Sequence, residues 1–186
     1  MKRYLCGGPA GAAADFIYKW DPAEQKYKRA WLIGGTGKPD YDGKWWDDDR
    51  ADFSDMTLEV GDCFWLRRRN TGPDEVDIMF LGGVPYEETT TIRFVRGRTM
   101  FCWPYPTVLA LNDSTLAEIG EGGPDLERAD VVSGWDLERQ EYVKAFLLGG
   151  TGGELDGTWF NPGPTPPPGP SEIQFEPGAA FWYERR

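Results

Sequence analysis

The chain has 186 residues, and 20 basic residues against 31 acidic ones give it a net charge of -11, with no histidine. This charge disfavours binding to nucleic acids and insertion into anionic membranes. The absence of histidine excludes Ser-His-Asp and Cys-His catalysis and the zinc sites that need histidine. The 24 glycines and 15 prolines, combined with 15% aromatic residues, argue against both a disordered chain and a helical bundle.

The first third of the chain reads as short strands separated by turn residues. Residues 16–20 and 27–33 are predicted to form a hairpin around the turn at 21–26. Residues 57–60 and 63–66 are predicted to form a second strand pair around Gly61 and Asp62.

The middle of the chain continues this pattern. Residues 75–81 and 89–95 alternate as strands do, and residues 100–103 are a short apolar strand that ends before Pro104. One or two helical turns are predicted at 114–119, where Asp113 or Ser114 can act as the N-cap.

The last third repeats the hairpin at residues 131–148. The proline-rich stretch at 161–170 is predicted to be an extended surface loop, and residues 47–50 occupy the corresponding loop earlier in the chain. The whole pattern predicts an all-β fold, a pseudo-symmetric sandwich or barrel of short antiparallel strands.

An internal duplication organises these strands. Residues 20–37 match residues 135–152 at ten of 18 positions without a gap, 115 positions apart. Chance gives about one match over such a length, so the signal is strong. The residues that mark the two copies are Trp20, Asp21, Gly34, Gly35, Gly61 and Trp65 in the first copy, and Trp135, Asp136, Gly149, Gly150, Gly178 and Trp182 in the second.

The two copies are of unequal length. If they end at Arg69 and Arg186, the full unit has 117 residues, of which the first copy has 69. The counterpart of about 70–115 is then missing from the first copy. We expect residues 1–69 and 70–186 to be two copies packed as one compact unit, in which the middle segment serves both.

The cysteines and the chain start leave the cellular compartment open. Cys6, Cys63 and Cys102 form no CxxC pair, which disfavours a metal knuckle. One disulfide with a third thiol and three reduced thiols are both allowed. No apolar run reaches the roughly 18 residues needed to span a bilayer, and the start lacks the apolar stretch of a signal peptide.

Several motifs of the second copy occur in a characteristic order. They are Gly82-Gly83-Val84-Pro85, Trp103-Pro104-Tyr105-Pro106, Trp135-Asp136, Gly157-Thr158-Trp159 and Pro177-Gly178-Ala179-Ala180-Phe181-Trp182. In this order the chain resembles tandem β-rich repeat modules found near the C-termini of large secreted or surface-anchored bacterial proteins. The usual Asn and Leu are replaced by Thr99-Met100-Phe101-Cys102. The resemblance implies a secreted or cell-surface location and a structural or binding role without catalysis. The alternative, since no signal peptide is present, is a cytoplasmic protein.

Two acidic-x-Asp-Gly stretches are candidate cation sites. They end in Asp42-Gly43 and Asp156-Gly157, and carboxylates two residues apart can share a calcium ion. Neither has the further ligands of a calcium loop, so a turn with glycine at positive φ is the favoured interpretation. The Gly-Gly-Thr-Gly loops at 34–37 and 149–152 precede no helix, which favours strand exits over phosphate binding.

Tryptophan is the residue type with most functional potential. The Trp-Asp pairs at 20–21 and 135–136 are predicted to place the ring in the core and the carboxylate on turn N–H groups. Exposed rings stack on sugars, with carboxylates bonding the hydroxyls. The candidate ligand-binding residues are Trp45, Trp46, Trp159, Asp42 and Asp156. The competing interpretation is that the tryptophans build the core of a β protein.

The sequence therefore predicts a non-enzymatic structural or assembly module. Its expected partners are copies of itself or other protein subunits, reached through strand edges or the proline-rich loop. The alternative is a carbohydrate-binding module that uses exposed tryptophans, with a glycan as partner. No catalytic residue, metal site or cofactor is predicted, because no pair of carboxylates stands out as a hydrolase would need.

Overall fold

The fold is all-β, as the sequence predicts. The computed structural model describes Leu5 and residues 7–69, 90–136, 138–163 and 168–186. The strands are β1 (Phe16–Asp21), β2 (Lys26–Leu32), β3 (Trp45–Asp47), β4 (Asp52–Phe53), β5 (Phe64–Arg67), β6 (Gly97–Cys102), β7 (Leu109–Ala110), β8 (Val131–Asp136), β9 (Glu141–Leu147), β10 (Trp159–Asn161), β11 (Gly169–Pro170), β12 (Gln174–Phe175) and β13 (Ala180–Arg185).

Helical structure is confined to short turns over these ranges. The helix α1 (Leu116–Ile119) lies where helical turns are predicted, and 3-10 turns cover Gly11–Ala13 and Leu111–Asp113. No helix in the described ranges is long and apolar enough to cross a membrane.

The chain divides into two compact units, each with its own sheet. The first comprises Met1–Asp21, Lys26–Glu59 and Phe64–Gly83, and the second Pro22–Gln25, Val60–Cys63 and Val84–Arg186. The first sheet has the order β4-β3-β2-β1-β5. The second has the order β11-β10-β9-β8-β13-β6, beside a separate ribbon of β12 and β7. Over the described residues both sheets are antiparallel and open, not closed into barrels.

Equivalent strands of the two sheets pair in the same register. Phe16 lies opposite Trp31 in the first hairpin, and Val131 lies opposite Phe146 in the second. The closing strands follow the same rule, since Trp65 lies opposite Tyr18 and Trp182 lies opposite Ser133. The equal register places corresponding side chains on corresponding faces of the two sheets.

The hairpin turn of the second sheet is held by Asp136. Its carboxylate accepts the N–H groups of Glu138 and Arg139 at 2.9 Å each. The N–H of Gln140 donates to the backbone carbonyl of Asp136 at 2.8 Å, and Gln140 has a φ of 55°. The predicted role of this carboxylate in the turn is confirmed.

The second unit is a two-layer sandwich. One face of its sheet packs against the β7–β12 ribbon and α1, whose Leu116 and Ala117 contact the same core. Burial of these side chains is the main stabilising contribution to the unit. The buried residues are Phe101, Leu111, Val132, Ala145, Leu147, Trp159, Phe175, Phe181 and Tyr183.

The opposite face carries a smaller apolar cluster at one end of each sheet. In the first unit it contains Ala14, Phe16, Trp31 and Ile33. In the second unit the residues 115 positions later form the corresponding cluster, with Ala129, Val131 and Phe146 buried and Leu148 packed against them.

A short segment before the first strand of each sheet also corresponds. Gly8 forms a parallel bridge with Ile33, and Gly123 forms one with Leu148. The signal for this segment was present in the sequence but missed, since Gly7-Gly8-Pro9 matches Gly122-Gly123-Pro124. The correspondence therefore begins before residues 20 and 135, where the matched stretches of sequence start.

A buried aspartate ties the ends of each unit together. Asp130 is fully buried and accepts the Tyr183 hydroxyl at 2.6 Å and the N–H of Arg186 at 2.8 Å. Asp15, 2% exposed, accepts the N–H of Arg69 at 2.9 Å. Burial, reinforced by the hydrogen bond to Asp130, raises the pKa of Tyr183 well above its ordinary value.

Two predicted strands, at 57–60 and 89–95, differ from the structure. Residues 57–60 are not a strand: Leu58 and Val60 are 44% and 52% exposed, and no ladder pairs this segment within the described residues. The described part of the predicted strand at 89–95, residues 90–95, forms no ladder either, although Ile92 and Phe94 pack on the core. Strand propensity without a paired neighbour does not make a strand. The predicted strand at 75–81 lies outside the described residues.

The proline-rich stretch is shorter as a loop than predicted. Asn161 ends β10, and Gly169 and Pro170 form β11, paired with Asn161 and Phe160. Proline is compatible with this position because β11 is an edge strand of its sheet. Residues 164–167 lie outside the described part of the chain.

The cysteine pairing that the sequence left open is a disulfide between Cys63 and Cys102. Their Cα atoms are 5.4 Å apart, and the bond closes a loop with a sequence separation of 39. Both residues belong to the second unit. Cys6 lies outside the described residues.

We expect Tyr183→Phe to lower the free energy of unfolding by about 1–3 kcal/mol, because a buried acceptor on Asp130 loses its donor. Above about pH 10 the unfolded phenol ionises while the folded one keeps its proton, so the wild type loses stability as pH rises and the variant lacks this component. Urea denaturation at neutral and alkaline pH measures both effects. Tyr142→Phe, at an exposed tyrosine, is the control, and an equal loss in both variants contradicts the assignment.

We expect the double variant Cys63→Ser, Cys102→Ser to be less stable than the wild type by about 3–4 kcal/mol, because the cross-link restricts the unfolded chain. Thermal unfolding with and without a reductant measures the difference. The reductant is expected to lower the melting temperature of the wild type and leave that of the double variant unchanged. A wild type insensitive to reductant contradicts the pairing.

Candidate functional site

Each sheet presents an aromatic triad on the face opposite the hairpin's inward-pointing alanine, Ala30 or Ala145. We call this surface the aromatic face. Alternate residues of a strand point to the same side, so the register collects these rings on one face. The triads are Trp20, Tyr27 and Trp65 in the first sheet, and Trp135, Tyr142 and Trp182 in the second.

The triads have the same geometry in both sheets. The rings of Trp20 and Tyr27 meet edge to face at 5.0 Å, and those of Trp135 and Tyr142 do so at 4.9 Å. The indole N–H of Trp65 donates to the Tyr27 hydroxyl at 3.1 Å. The matching bond from Trp182 to Tyr142 measures 3.4 Å. These contacts fix the ring positions while leaving them open to solvent.

Four of the six triad rings are exposed to solvent. Trp65, Trp135, Tyr27 and Tyr142 are each between 37% and 39% exposed, whereas Trp20 and Trp182 are half-buried. The prediction that the ring of a Trp-Asp pair lies in the core is wrong for Trp135, which lies on the aromatic face. Contiguous exposed aromatic side chains are typical of binding surfaces.

Cationic side chains border the rings. Arg29 and Lys144 occupy corresponding positions, next to Tyr27 and Tyr142 on the same face. In the first sheet the guanidinium of Arg67 lies 4.5 Å from the ring centre of Phe16. The aromatic faces therefore carry positive charge in a chain whose net charge is -11.

The aromatic face of the second sheet contains a groove of about 220 Å³. Its floor includes Ser133, Tyr142 and Trp182. Glu184 lies in its wall and pairs with Arg98 at 3.2 Å and with Arg186 at 2.5 Å. The complete lining is Arg98, Leu126, Val131, Ser133, Tyr142, Lys144, Trp182, Glu184 and Arg186.

In the first sheet a tyrosine fills the position that Ser133 holds in the second. Tyr18 stacks on Phe16 at 5.8 Å and meets Tyr27 edge to face at 6.3 Å. The space between the corresponding residues Val131 and Tyr142 is open because the serine has no ring. The groove therefore depends on Ser133 in place of Tyr18, on Glu184 in place of Arg67, and on Arg98 of β6, a strand without a counterpart in the first sheet over the described residues.

The residues proposed from the sequence as ligand-binding do not form one site. Trp159 is fully buried in the core of the second unit, so its ring is closed to a ligand. Trp45 and Trp46 are half-buried, and Trp46 packs edge to face on Phe53 at 5.8 Å. The exposed rings are instead those of the aromatic faces.

Asp42 and Asp156 hold their own loops. Asp42 accepts the Thr36 hydroxyl at 2.6 Å, and Asp156 accepts the Thr151 hydroxyl at 2.5 Å. Each also accepts backbone N–H groups of the Gly-Gly-Thr-Gly loop, and the following glycine has a φ of 89° or 86°. The threonine hydroxyl is the main cause that lowers the pKa of each aspartate. Over the described residues no cluster of metal-binding side chains is present.

Sequence reasoning missed the tyrosines, Ser133 and Lys144. Part of the signal was visible, because tryptophan and tyrosine recur seven residues apart, at 20 and 27 and again at 135 and 142. The groove depends on the pairing of Ser133 with Trp182 across two strands distant in sequence. The sequence of either copy does not reveal this contact, because it depends on which strands are neighbours in the sheet.

A scan of protein-family models, a search of curated proteins and a search of solved structures each found no match.

We expect Thr151→Val to raise the pKa of Asp156 toward its ordinary value, because the carboxylate loses the hydroxyl donor that lowers it. Carbon-detected NMR titration of the aspartate carboxyl groups measures the shift. The pKa of Asp42, which bonds to Thr36 in the first unit, is the internal control and is expected to stay unchanged. An unchanged Asp156 contradicts the assigned cause.

Proposed function

We propose that the chain is a non-enzymatic structural or assembly module of a secreted or cell-surface bacterial protein, built from a duplicated β unit. It associates with copies of itself or with other protein subunits. The observation that carries the proposal is the partly exposed Trp-Tyr-Trp triad, whose ring contacts and hydrogen bond recur on both sheets.

The duplication is supported by contacts that recur 115 to 117 positions apart. The strand order, the hairpin register and the glycine bridges correspond. Asp15 and Asp130 receive the N–H of corresponding arginines, and Thr36 and Thr151 bond to corresponding aspartates. Such agreement in non-repetitive details favours a shared ancestral unit over convergence.

A location outside the cytoplasm is supported by the Cys63–Cys102 disulfide. Disulfides persist in oxidising compartments and are rare in the cytosol, where thiols are kept reduced.

Association through the aromatic faces is supported by their composition. Tryptophan, tyrosine and arginine are the residues that contribute most often to the energy of protein interfaces. Arg29 and Lys144 suit an acidic patch on a partner surface. We therefore prefer the aromatic faces to the strand edges and the proline-rich loop as the surface of association.

We expect the wild type to self-associate in a concentration-dependent way, and the variants Trp65→Ser and Trp135→Ser to weaken the association at least about tenfold. Size-exclusion chromatography with light scattering measures it. Ile119→Ser removes an apolar side chain of equal or greater exposure elsewhere and is the control. A wild type that stays monomeric up to about 1 mM contradicts self-assembly.

One observation favours the second candidate, carbohydrate binding. The groove beside Ser133 joins aromatic rings to polar groups, whereas Tyr18 fills the corresponding place in the first sheet. Affinity electrophoresis in gels containing neutral or acidic polysaccharides tests this function, and unchanged mobility in every gel rejects it.

A further inference from the structure

We propose that the groove on the second aromatic face binds a single acidic sugar ring, a pyranose that carries a carboxylate. This inference rests on the second candidate function, carbohydrate binding, and names its ligand class and site.

The size of the groove sets the size of the ligand. Its volume of about 220 Å³ is below the roughly 300–1,000 Å³ of sites that enclose drug-sized molecules. A groove of this size accommodates one six-membered sugar ring. Within the groove, Ser133 leaves open the space that Tyr18 fills on the other sheet.

The aromatic side chains provide a preorganised apolar platform. Trp182 and Tyr142 line the groove and are linked by the indole-to-hydroxyl hydrogen bond. Trp135 supports Tyr142 from the side at 4.9 Å. The C–H face of a pyranose packs on such rings, and rings that are already fixed lose little conformational entropy on binding.

The charges of the groove select an acidic ligand. Three cationic side chains, Arg98, Lys144 and Arg186, face one carboxylate, Glu184. Glu184 is shared between the two arginines and orients them. Lys144 is exposed and forms no ion pair with any described residue, so its ammonium is available to a ligand carboxylate.

The net charge of the chain favours a sugar over a nucleic acid as the ligand of the groove. Aromatic rings next to cations also suit a single-stranded nucleic acid, but that polymer needs a basic track along its backbone. The chain has a net charge of -11, and only three of its 20 basic residues line the groove. A single carboxylate needs only this local positive charge.

The test compares D-glucuronate and D-galacturonate with D-glucose and D-galactose, using tryptophan fluorescence and saturation-transfer NMR. We expect the acids to bind at least about tenfold more tightly than the neutral sugars. Ser133→Tyr is expected to abolish binding, because the tyrosine ring fills the groove. The variant is expected to fold, because a tyrosine is accommodated at the corresponding position of the first sheet. Tyr18→Ser, in the first sheet, is the matched control and is expected to bind the acids like the wild type.

Lys144→Glu provides a second variant at an exposed position, where substitution leaves folding intact. It is expected to reduce binding of the acids at least about tenfold and to leave the weak binding of neutral sugars unchanged. Equal affinity for acidic and neutral sugars, or unchanged binding by Ser133→Tyr, overturns the proposal.

Failure of this proposal is distinguishable from failure of the functions on which it stands. Retention by neutral polysaccharides with no preference for acids leaves carbohydrate binding intact and rejects only the acidic ligand. Self-association is measured separately by light scattering, and its loss in the Trp65→Ser variant does not depend on the groove.

Discussion

The register of the first hairpin in each sheet decides which aromatic rings are buried and which meet the solvent. Because side chains alternate between faces, a shift of one residue would carry the rings of Trp20 and Tyr27 to the opposite face. Phe16 opposite Trp31 and Val131 opposite Phe146 show that both hairpins hold the same register. The aromatic faces exist only because this register is kept.

Polar contacts at the sheet ends support that register. Asp130, the residue before β8, accepts hydrogen bonds from Tyr183 in β13 and from Arg186, which directly follows β13. The Thr151–Asp156 contact fixes the loop that leads from β9 to β10. A buried acceptor satisfied by specific donors disfavours slipped pairings, since each slip leaves a polar group without a partner. Hydrophobic burial alone is less selective between registers.

Much of the fold was predictable because turn residues and alternation are local signals. The hairpins, α1 and the correspondence of the two copies follow from residues such as Trp135 and Asp136. The errors fall where local signals do not decide. Residues 57–60 have strand propensity but no paired neighbour. The sequence also does not show that Trp159 is buried, because the layer that covers its ring comes from distant parts of the chain. For the site, the sequence predicts only the residue type, exposed tryptophan. It does not predict the position of the groove, because Ser133 lies beside Trp182 through a long-range strand pairing.

The two sheets share the same strand register and differ in the residues on their aromatic faces. Contacts that set the register recur in both, whereas Tyr18 against Ser133 and Arg67 against Glu184 differ at corresponding positions. In the first sheet Arg67 packs over Phe16 and Tyr18 closes the surface. In the second, Glu184 binds two arginines at the edge of an open groove. Substitutions that spare the register change the face without unfolding the sheet. Two sheets with the same register can therefore carry aromatic faces of different shape, closed by Tyr18 in the first sheet and open as a groove at Ser133 in the second.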